Sequence, residues 1–289
     1  MLKPRLVGVI LIKEGIVVQS VNFKKYLPVG SPEIAIEYLN EWGIDEIVLL
    51  DIDARMRDHN KILKKISDYS KFCQVPIAVG GGINNLDQIK GLVQSGADKI
   101  VLNTSAFNNL KLISESANLF GSQCIVVSID VKKNLNGGYE VYINSGKQPT
   151  GIDIIEYSID AQKHGAGELL INSIDRDGTK VGYDLNLIKK VYNNVEIPIV
   201  ICGGVGNAKH LFEGISLGVS GVAAANFFHF TEHSVILAKQ YLRINGCKIR
   251  LDTVSKYEER NFDDDCRADK VNDDVLNKLR FEYIPEEKI

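Results

Sequence analysis

Two glycine-rich segments are the clearest chemical signal in this sequence of 289 residues. Gly80-Gly81-Gly82 is followed by Asn103-Thr104-Ser105, and Gly203-Gly204-Val205-Gly206 is followed at a similar spacing by Ala224-Ala225-Asn226. Glycine lets the backbone approach an anion, free N–H groups point at it, and the start of a following helix adds a favourable dipole. Structural turns also use glycine, but two symmetric copies predict two phosphate sites. The candidate phosphate ligands are Gly81, Gly82, Asn103, Thr104, Ser105, Gly203, Gly204, Ala225 and Asn226.

The other reactive side chains form no recognisable centre in the sequence. The five cysteines and five histidines show no Cys-x-x-Cys pair and no spacing typical of metal ligands. No Ser/His/Asp or Cys/His arrangement for nucleophilic catalysis is evident either. We therefore expect neither a metal nor a cofactor. The scattered cysteines, odd in number, fit reduced thiols in the cytoplasm.

Composition excludes several classes of protein. Hydrophobic residues make up 45% and charged residues 25%, which is ordinary for a globular chain with a large core. The net charge of −3 supplies no bulk field for nucleic acid or for a membrane surface. No apolar run reaches the roughly 18 residues that a membrane span needs, and the N-terminus lacks a signal-peptide layout. We expect no nucleic-acid or membrane partner.

The elements that must position the glycine segments alternate regularly along the chain. Short, continuously apolar runs typical of strands buried on both faces are separated by amphipathic, helix-like stretches. Eight such strands predict a parallel (β/α)8 TIM barrel over residues 1–251, whereas an open doubly wound sheet would suit six better. The predicted strands are Leu6–Ile12, Glu46–Ile52, Ile77–Gly81, Lys99–Asn103, Cys124–Asp130, Glu168–Ile174, Pro198–Gly204 and Gly221–Asn226.

An internal repeat indicates that this barrel consists of two half-barrels. A shift of 122 positions places Glu46 on Glu168 and Asn85 on Asn207 without a gap, and it superposes the two glycine segments. One interruption, residues 132–147, contains Asn136-Gly137-Gly138 and predicts a β-hairpin at the barrel mouth. The other is an acidic C-terminal extension over residues 252–289, either a solvated tail or a docking segment with a helix over 271–283.

Several motifs closely resemble the family of cyclase subunits of imidazole glycerol phosphate synthase. The resemblance covers residues 1–251 and implies a barrel that takes ammonia from a bound glutaminase. It also implies a substrate with two phosphates, which the ammonia helps to cleave and cyclise. The motifs are Lys13-Glu14-Gly15, Val79-Gly80-Gly81-Gly82-Ile83, Gly96-Ala97-Asp98-Lys99, Phe120-Gly121-Ser122-Gln123, Ser173-Ile174-Asp175-Arg176-Asp177-Gly178-Thr179 and Phe228-His229-Phe230.

The resemblance implies an intact ammonia gate. The family holds a charged ring at the bottom of its barrel, and the matching residues are Arg5, Glu46, Lys99 and Glu168. Two acids and two bases can satisfy each other where a lone charge would be costly to bury. A glutaminase is therefore expected to form a heterodimer with this chain at the N-terminal face of the barrel.

The acid/base pair that the resemblance implies is incomplete. The family uses two aspartates, at the ends of strands one and five; Asp130 is retained, but the strand-one position is Leu11. One positioned acid or base contributes about 10²–10⁴ in rate, so a lyase or cyclase reaction should be impaired. Asp177 matches an auxiliary acid of the family. Asp53 is an unexpected acid near the mouth. It is either a displaced catalyst, a ligand contact or a solvated acid.

Three functions remain open from the sequence. The first is a divergent paralogue that works with a glutaminase on a surface-polysaccharide sugar, where a third, ATP-using amidotransferase completes the reaction. The second is an authentic cyclase subunit of histidine biosynthesis. The third is a non-catalytic scaffold that only binds phosphate and organises its partners.

Overall fold

A computed structural model describes residues 3–54, 59–230, 233–253, 261–263 and 266–268. Eight parallel strands close into a barrel, in which each strand pairs with the next barrel strand along the chain and the last pairs back to the first. The (β/α)8 barrel predicted from the sequence is therefore confirmed. These strands are β1 (Arg5–Lys13), β4 (Glu46–Asp51), β5 (Ile77–Gly80), β6 (Lys99–Leu102), β7 (Ile125–Lys133), β10 (Glu168–Ser173), β11 (Ile199–Cys202) and β12 (Gly221–Ala224).

The helices cover the outside of the barrel, so its strands are buried on both faces. Within the barrel, Val48, Val101, Val126, Leu170 and Val200 pack into an apolar layer. A larger core lies between strands and helices. The helices are α1 (Pro32–Glu41), α2 (His59–Phe72), α3 (Leu86–Gln94), α4 (Thr104–Asn108), α5 (Leu110–Phe120), α6 (Ile154–Lys163), α7 (Leu185–Tyr192), α8 (Ala208–Ile215), α9 (Phe227–Phe230) and α10 (Ser234–Ile244).

An antiparallel hairpin follows the first barrel strand of each half. β1 continues into β2 (Ile16–Val21) and β3 (Lys25–Gly30), and β7 continues into β8 (Tyr139–Ile143) and β9 (Gln148–Asp153). The hairpin predicted over 132–147 is present but extends further, to residue 153. Both hairpins rise from the carboxyl ends of their barrel strands and thus stand beside the mouth.

A buried ion pair fastens the last helix to the first strands. Lys239 of α10 is fully buried, and its Nζ lies 2.7 Å from Asp45 Oδ1. The other oxygen of Asp45 accepts the N–H of Leu6 at 2.8 Å. Burial lowers the pKa of Lys239, while Asp45 raises it. The pair links the end of the barrel domain to its beginning.

The described part of the C-terminal extension packs against α10. The ring of Phe262 meets Tyr241 edge-on, with 5.4 Å between ring centroids, and Phe262 pairs with Ala268 in an isolated bridge. The predicted helix over 271–283 lies outside the described residues, and the boundary at residue 251 stays a prediction. No helix among the described residues is long and apolar enough to cross a membrane.

Candidate active site at the barrel mouth

A cavity of about 390 Å³ opens among the carboxyl ends of the barrel strands. Its walls combine apolar side chains with carboxylate, amide and hydroxyl groups, as in sites for small polar ligands. Strand ends, the two hairpins and the first glycine segment all contribute to it. The predicted site residues that line it are Leu11, Gly81, Gly82, Asn103, Thr104, Ser105, Asp130, Asp177 and Ala225.

Asp130 is the most strongly perturbed acid of the cavity. It is buried at the end of the barrel part of β7, and its Oδ2 accepts a hydrogen bond from Asn103 Nδ2 at 3.0 Å. Burial raises its pKa to about 7, although the bond from Asn103 lowers it and the charge of Asp177 raises it again. Asp130 can therefore both give and take a proton near neutral pH.

Leu11 occupies the position in the first half that Asp130 occupies in the second. Leu11 is paired with Leu50 across β1 and β4, and Asp130 is paired with Asn172 across β7 and β10. Leu50 and Asn172 are equivalent under the shift of 122. Leu11 is therefore the counterpart of Asp130 under the repeat. Its aliphatic side chain cannot transfer a proton.

Asp177 binds the first hairpin to the mouth. Its Oδ2 accepts hydrogen bonds from Ser20 Oγ at 2.6 Å and from the N–H of Phe23 at 3.1 Å. Its carbonyl oxygen accepts the N–H of Asn22 at 3.0 Å. Burial raises the pKa of Asp177, and the bonds from Ser20 and Phe23 lower it. The contacts made by this acid are those of a positioning group.

Asn226 secures the same hairpin through the backbone of Ser20. Its Oδ1 accepts the N–H of Ser20 at 3.1 Å, and its Nδ2 donates to the carbonyl oxygen of Ser20 at 2.7 Å. Both polar atoms of the Asn226 side chain are used in this way. Of the predicted phosphate ligands, Asn226, Gly203 and Gly204 do not line the cavity.

The glycines of both segments are required by backbone geometry. Gly81 has a φ of +119°, and a Cβ there would lie 2.1 Å from the carbonyl oxygen of Asp51. Gly204 has a φ of +100°, and its Cβ would lie 2.3 Å from the carbonyl oxygen of Gly182. The turns therefore need glycine with or without an anion. Phosphate binding stays a prediction at both.

Asp53 contacts the turn that begins the first hairpin. Its Oδ2 accepts the N–H of Glu14 at 3.0 Å, in the turn between β1 and β2. It is not among the described residues that line the mouth. The structure thus gives Asp53 a structural contact, and a catalytic role for it stays a prediction.

Two further groups of the mouth bear on its chemistry. Burial raises the pKa of the Cys202 thiol to about 12, with a smaller increase from Asp177, so the thiol stays protonated at neutral pH. The Oδ1 atom of Asn172 is buried without a hydrogen-bond partner among the described residues. It is an available acceptor close to Asp130. No group of three or more potential metal ligands was found in the described ranges.

The four predicted gate residues form a closed ring of ion pairs at the opposite end of the barrel. Arg5 contacts both Glu46 and Glu168. Lys99 Nζ lies 2.9 Å from Glu46 and 2.7 Å from Glu168. Burial lowers the pKa of Arg5, but the two carboxylates outweigh it and raise the pKa above its ordinary value. The ring carries no net charge, and its two acids are almost completely buried.

The first hairpin also contributes to the cavity, which its sequence did not indicate. Ser20, Phe23 and Tyr26 line the mouth, and burial followed by the charges of Asp177 and Asp130 raises the pKa of Tyr26. The turn that starts this hairpin, at Glu14 and Gly15, has φ angles of 52° and 85°. Hairpin turns of this kind favour Asn-Gly or Asp-Gly, so Glu-Gly gave only a weak signal.

Comparisons with known proteins show the family of the chain. Residues 5–234 match the model of the family described as histidine biosynthesis protein. The chain belongs to this family. It is 42% identical over 264 residues to a protein of Vibrio vulnificus (strain YJ016), which is assigned by name to imidazole glycerol phosphate synthase as subunit hisF2. That alignment covers 91% of this chain and 96% of the relative.

A second relative is equally similar. The imidazole glycerol phosphate synthase subunit HisF of Chloroherpeton thalassium (strain ATCC 35110 / GB-78) is 42% identical over 252 residues, which are 87% of this chain and 100% of the relative. The resemblance drawn from the sequence motifs is therefore confirmed at the level of the family. The chain is thus as identical to the hisF2 relative as it is to the HisF relative.

Proposed function

We propose that this protein is the synthase-type subunit of a glutamine-dependent amidotransferase, which receives ammonia through the charged ring and binds a phosphorylated ligand at the mouth. Membership of the family and the names of its relatives support the assignment to a subunit of this kind. The observation that carries the finer proposal is the register that sets Leu11 in the place equivalent to Asp130. It favours an acceptor other than the histidine-pathway substrate, namely a surface-polysaccharide sugar.

In this proposal the two ends of the barrel have separate tasks. A glutaminase binds at the N-terminal face, and ammonia passes the ring formed by Arg5, Glu46, Lys99 and Glu168. The apolar layer above the ring admits neutral ammonia more readily than ammonium, because an unpaired charge is costly to bury. The partner that finishes the sugar amidation is an ATP-using amidotransferase, and all three act in the cytoplasm.

At the mouth, the retained residues can bind a ligand and move one proton. Asn103 orients Asp130 through the 3.0 Å bond, and the Asp130 carboxyl exchanges its proton near neutral pH. Thr104 and Ser105, at the start of α4, supply donors for one phosphate. Leu11 gives no proton on the opposite side, so a reaction that needs acid and base together is slowed by about 10²–10⁴.

The test is ammonia-dependent turnover of the histidine-pathway substrate at saturating ammonium salt. The wild-type chain should give weak or no turnover, and Leu11→Asp should raise it because the second carboxyl is restored. Leu11→Asn is the matched control, since it has the same shape but cannot transfer a proton at this pH. A wild-type rate near that of ordinary cyclases would support the alternative, an authentic cyclase subunit.

The partner is tested separately with a purified glutaminase of the same family of complexes. We expect a heterodimer, and we expect Lys99→Ala to loosen the coupling between glutamine hydrolysis and ammonia incorporation. Equal coupling in both proteins, or no binding at all, would leave the third function, a phosphate-binding scaffold. Phosphate soaked into crystals should bind at Gly82 and Ser105 and at Gly204 and Asn226; two empty loops would contradict the ligand part of the proposal.

A further inference from the structure

The end of the second glycine segment is held by a side chain that follows it in the sequence. The N–H of Gly206 donates to Nδ1 of His210 at 3.1 Å. In return, Oδ1 of Asn207 accepts the backbone N–H of His210 at 3.2 Å, as the N-cap of α8. The two bonds lock the junction between loop and helix, in a variant of the capping box that reaches one residue further back.

The first half of the barrel contains the same arrangement with a different acceptor. The N–H of Asn84 donates to Oε1 of Gln88 at 2.8 Å, and Oδ1 of Asn85 accepts the N–H of Gln88 at 2.9 Å. These positions coincide with those of the second half under the shift of 122. The anchor thus belongs to the repeat. One half uses an amide that does not titrate, and the other uses an imidazole that does.

The imidazole of His210 is packed against the segment that supports the second glycine loop. A Cβ added to Gly182 would lie 3.1 Å from its Cδ2 atom. The N–H of Gly182 donates to the carbonyl oxygen of Gly204 at 2.7 Å. Loop, supporting segment and imidazole are therefore in mutual contact, and a change at the imidazole acts directly on the loop.

The charged groups around His210 come from its own helix and from the loop before α7. Burial lowers the pKa of His210, Glu213 raises it and Lys209 lowers it. From the loop, Lys180 packs on Gly206, where an added Cβ would lie 2.6 Å from the Lys180 Cβ. Because Nδ1 accepts the N–H of Gly206, it carries a lone pair, and the lowered pKa favours this neutral form of the imidazole. On protonation this lone pair is lost.

We propose that Gln88 and His210 are equivalent positioning residues for the two glycine loops, and that His210 alone makes anion binding at its loop depend on pH. The proposal rests on the phosphate-binding function proposed above. Acidification through the imidazole titration removes one hydrogen bond from the second loop. We expect binding there to weaken roughly two- to tenfold, the value of one such bond. The first loop should not respond.

The experiment uses sulfate as the probe, because it stays doubly charged over the whole range. Amide NMR signals of Gly204 and Gly206 report binding at the second loop, and those of Gly82 and Asn84 report binding at the first. Affinities are measured from neutral pH down to about two units below the pKa of a free imidazole, because burial lowers the pKa of His210 and its titration must be covered. His210→Gln gives the second loop the acceptor of the first, and Gln88→His is the reciprocal exchange.

The expected result is a pH-dependent affinity at the second loop that disappears in His210→Gln, and a new dependence at the first loop in Gln88→His. If acidification strengthens sulfate binding in the wild type, attraction by the imidazolium outweighs the lost anchor and the proposal is wrong. An equal response of wild type and His210→Gln would also overturn it.

A measurement without ligand separates this proposal from the phosphate-binding function. In the wild type, the protection of the Gly206 amide against hydrogen exchange should fall on acidification. In His210→Leu, this protection should be low at every pH. His210→Gln should keep it. If sulfate binds to neither loop, the phosphate function fails while amide exchange still decides the positioning role. Full protection in His210→Leu would refute that role.

Discussion

Replacing Lys99 by methionine should destabilise the protein strongly, because the ring at the bottom of the barrel depends on balanced charge. Lys99 Nζ lies 2.9 Å from both oxygens of Glu46 and 2.7 Å from Glu168. The two acids have exposed side-chain fractions of only 3% and 6%. Without Lys99, Arg5 alone would have to compensate both carboxylates.

The expected loss follows from the burial of these groups. Removing one partner of a buried ion pair typically costs about 3–5 kcal/mol. The side chains of Lys99 and Arg5 are 17% and 27% exposed, so solvent reduces the penalty toward the lower end. We therefore expect Lys99→Met to lower the free energy of unfolding by about 3 kcal/mol at neutral pH. The methionine keeps the packing of the aliphatic stem, so the loss measures charge.

The assay is urea unfolding followed by circular dichroism, with the free energies of all transitions summed. The double variant Lys99→Met/Glu168→Gln is the matched control, because it leaves Arg5 and Glu46 as a neutral pair. It should recover most of the loss, to within about 1 kcal/mol of wild type.

Acidification gives the same prediction a second test. An uncompensated carboxylate takes up a proton more readily in the folded state, so the difference between Lys99→Met and wild type should narrow as the pH falls toward 5. A loss below about 1 kcal/mol, a double variant no more stable than the single one, or a difference that does not change with pH would each refute the reasoning.

Two other predictions concern the mouth. Asn103→Ala removes the hydrogen bond that lowers the pKa of Asp130, which is about 7. Any activity that depends on the ionised carboxylate should therefore have its pH profile displaced to higher pH, and an unchanged profile would mean that Asp130 is not the titrating group. Asp177→Asn removes the negative charge of the carboxylate that accepts bonds from Ser20 and Phe23 and leaves only one acceptor oxygen, so amide exchange should become faster in β2 and β3 but not in β8 and β9. Equal changes of the exchange rates in all four strands would contradict a local role of Asp177.

The sequence predicted the barrel well because each strand is a continuous apolar run. All eight predicted strands are present, and their ends differ from the prediction by a few residues. The first hairpin was missed because its turn is Glu14-Gly15, which is uncommon at the positive φ angles that both residues adopt. Consequently, the contribution of Ser20 to the mouth could not be predicted either.

The contacts within the site were harder to predict than its composition. Asn226 lies 206 residues from Ser20 in the chain, and nothing local to either residue indicates that both side-chain atoms of Asn226 bind to that backbone. By contrast, the repeat had already matched Asn85 with Asn207. Extending the comparison by three residues would have revealed Gln88 and His210, but their different side-chain types conceal the shared role.

The charged ring is neutral only because the two half-barrels differ. The first half contributes Arg5, Glu46 and Lys99, whereas the second contributes only Glu168, because Gly221 stands where the repeat would place a counterpart of Lys99. Two first halves would bury two excess cations at the seam, and two second halves would bury two carboxylates without a cation. Only the unlike pair is neutral. A barrel of two like halves would therefore lack the charge balance that closes the floor of this barrel, and burying unpaired charge there would be costly.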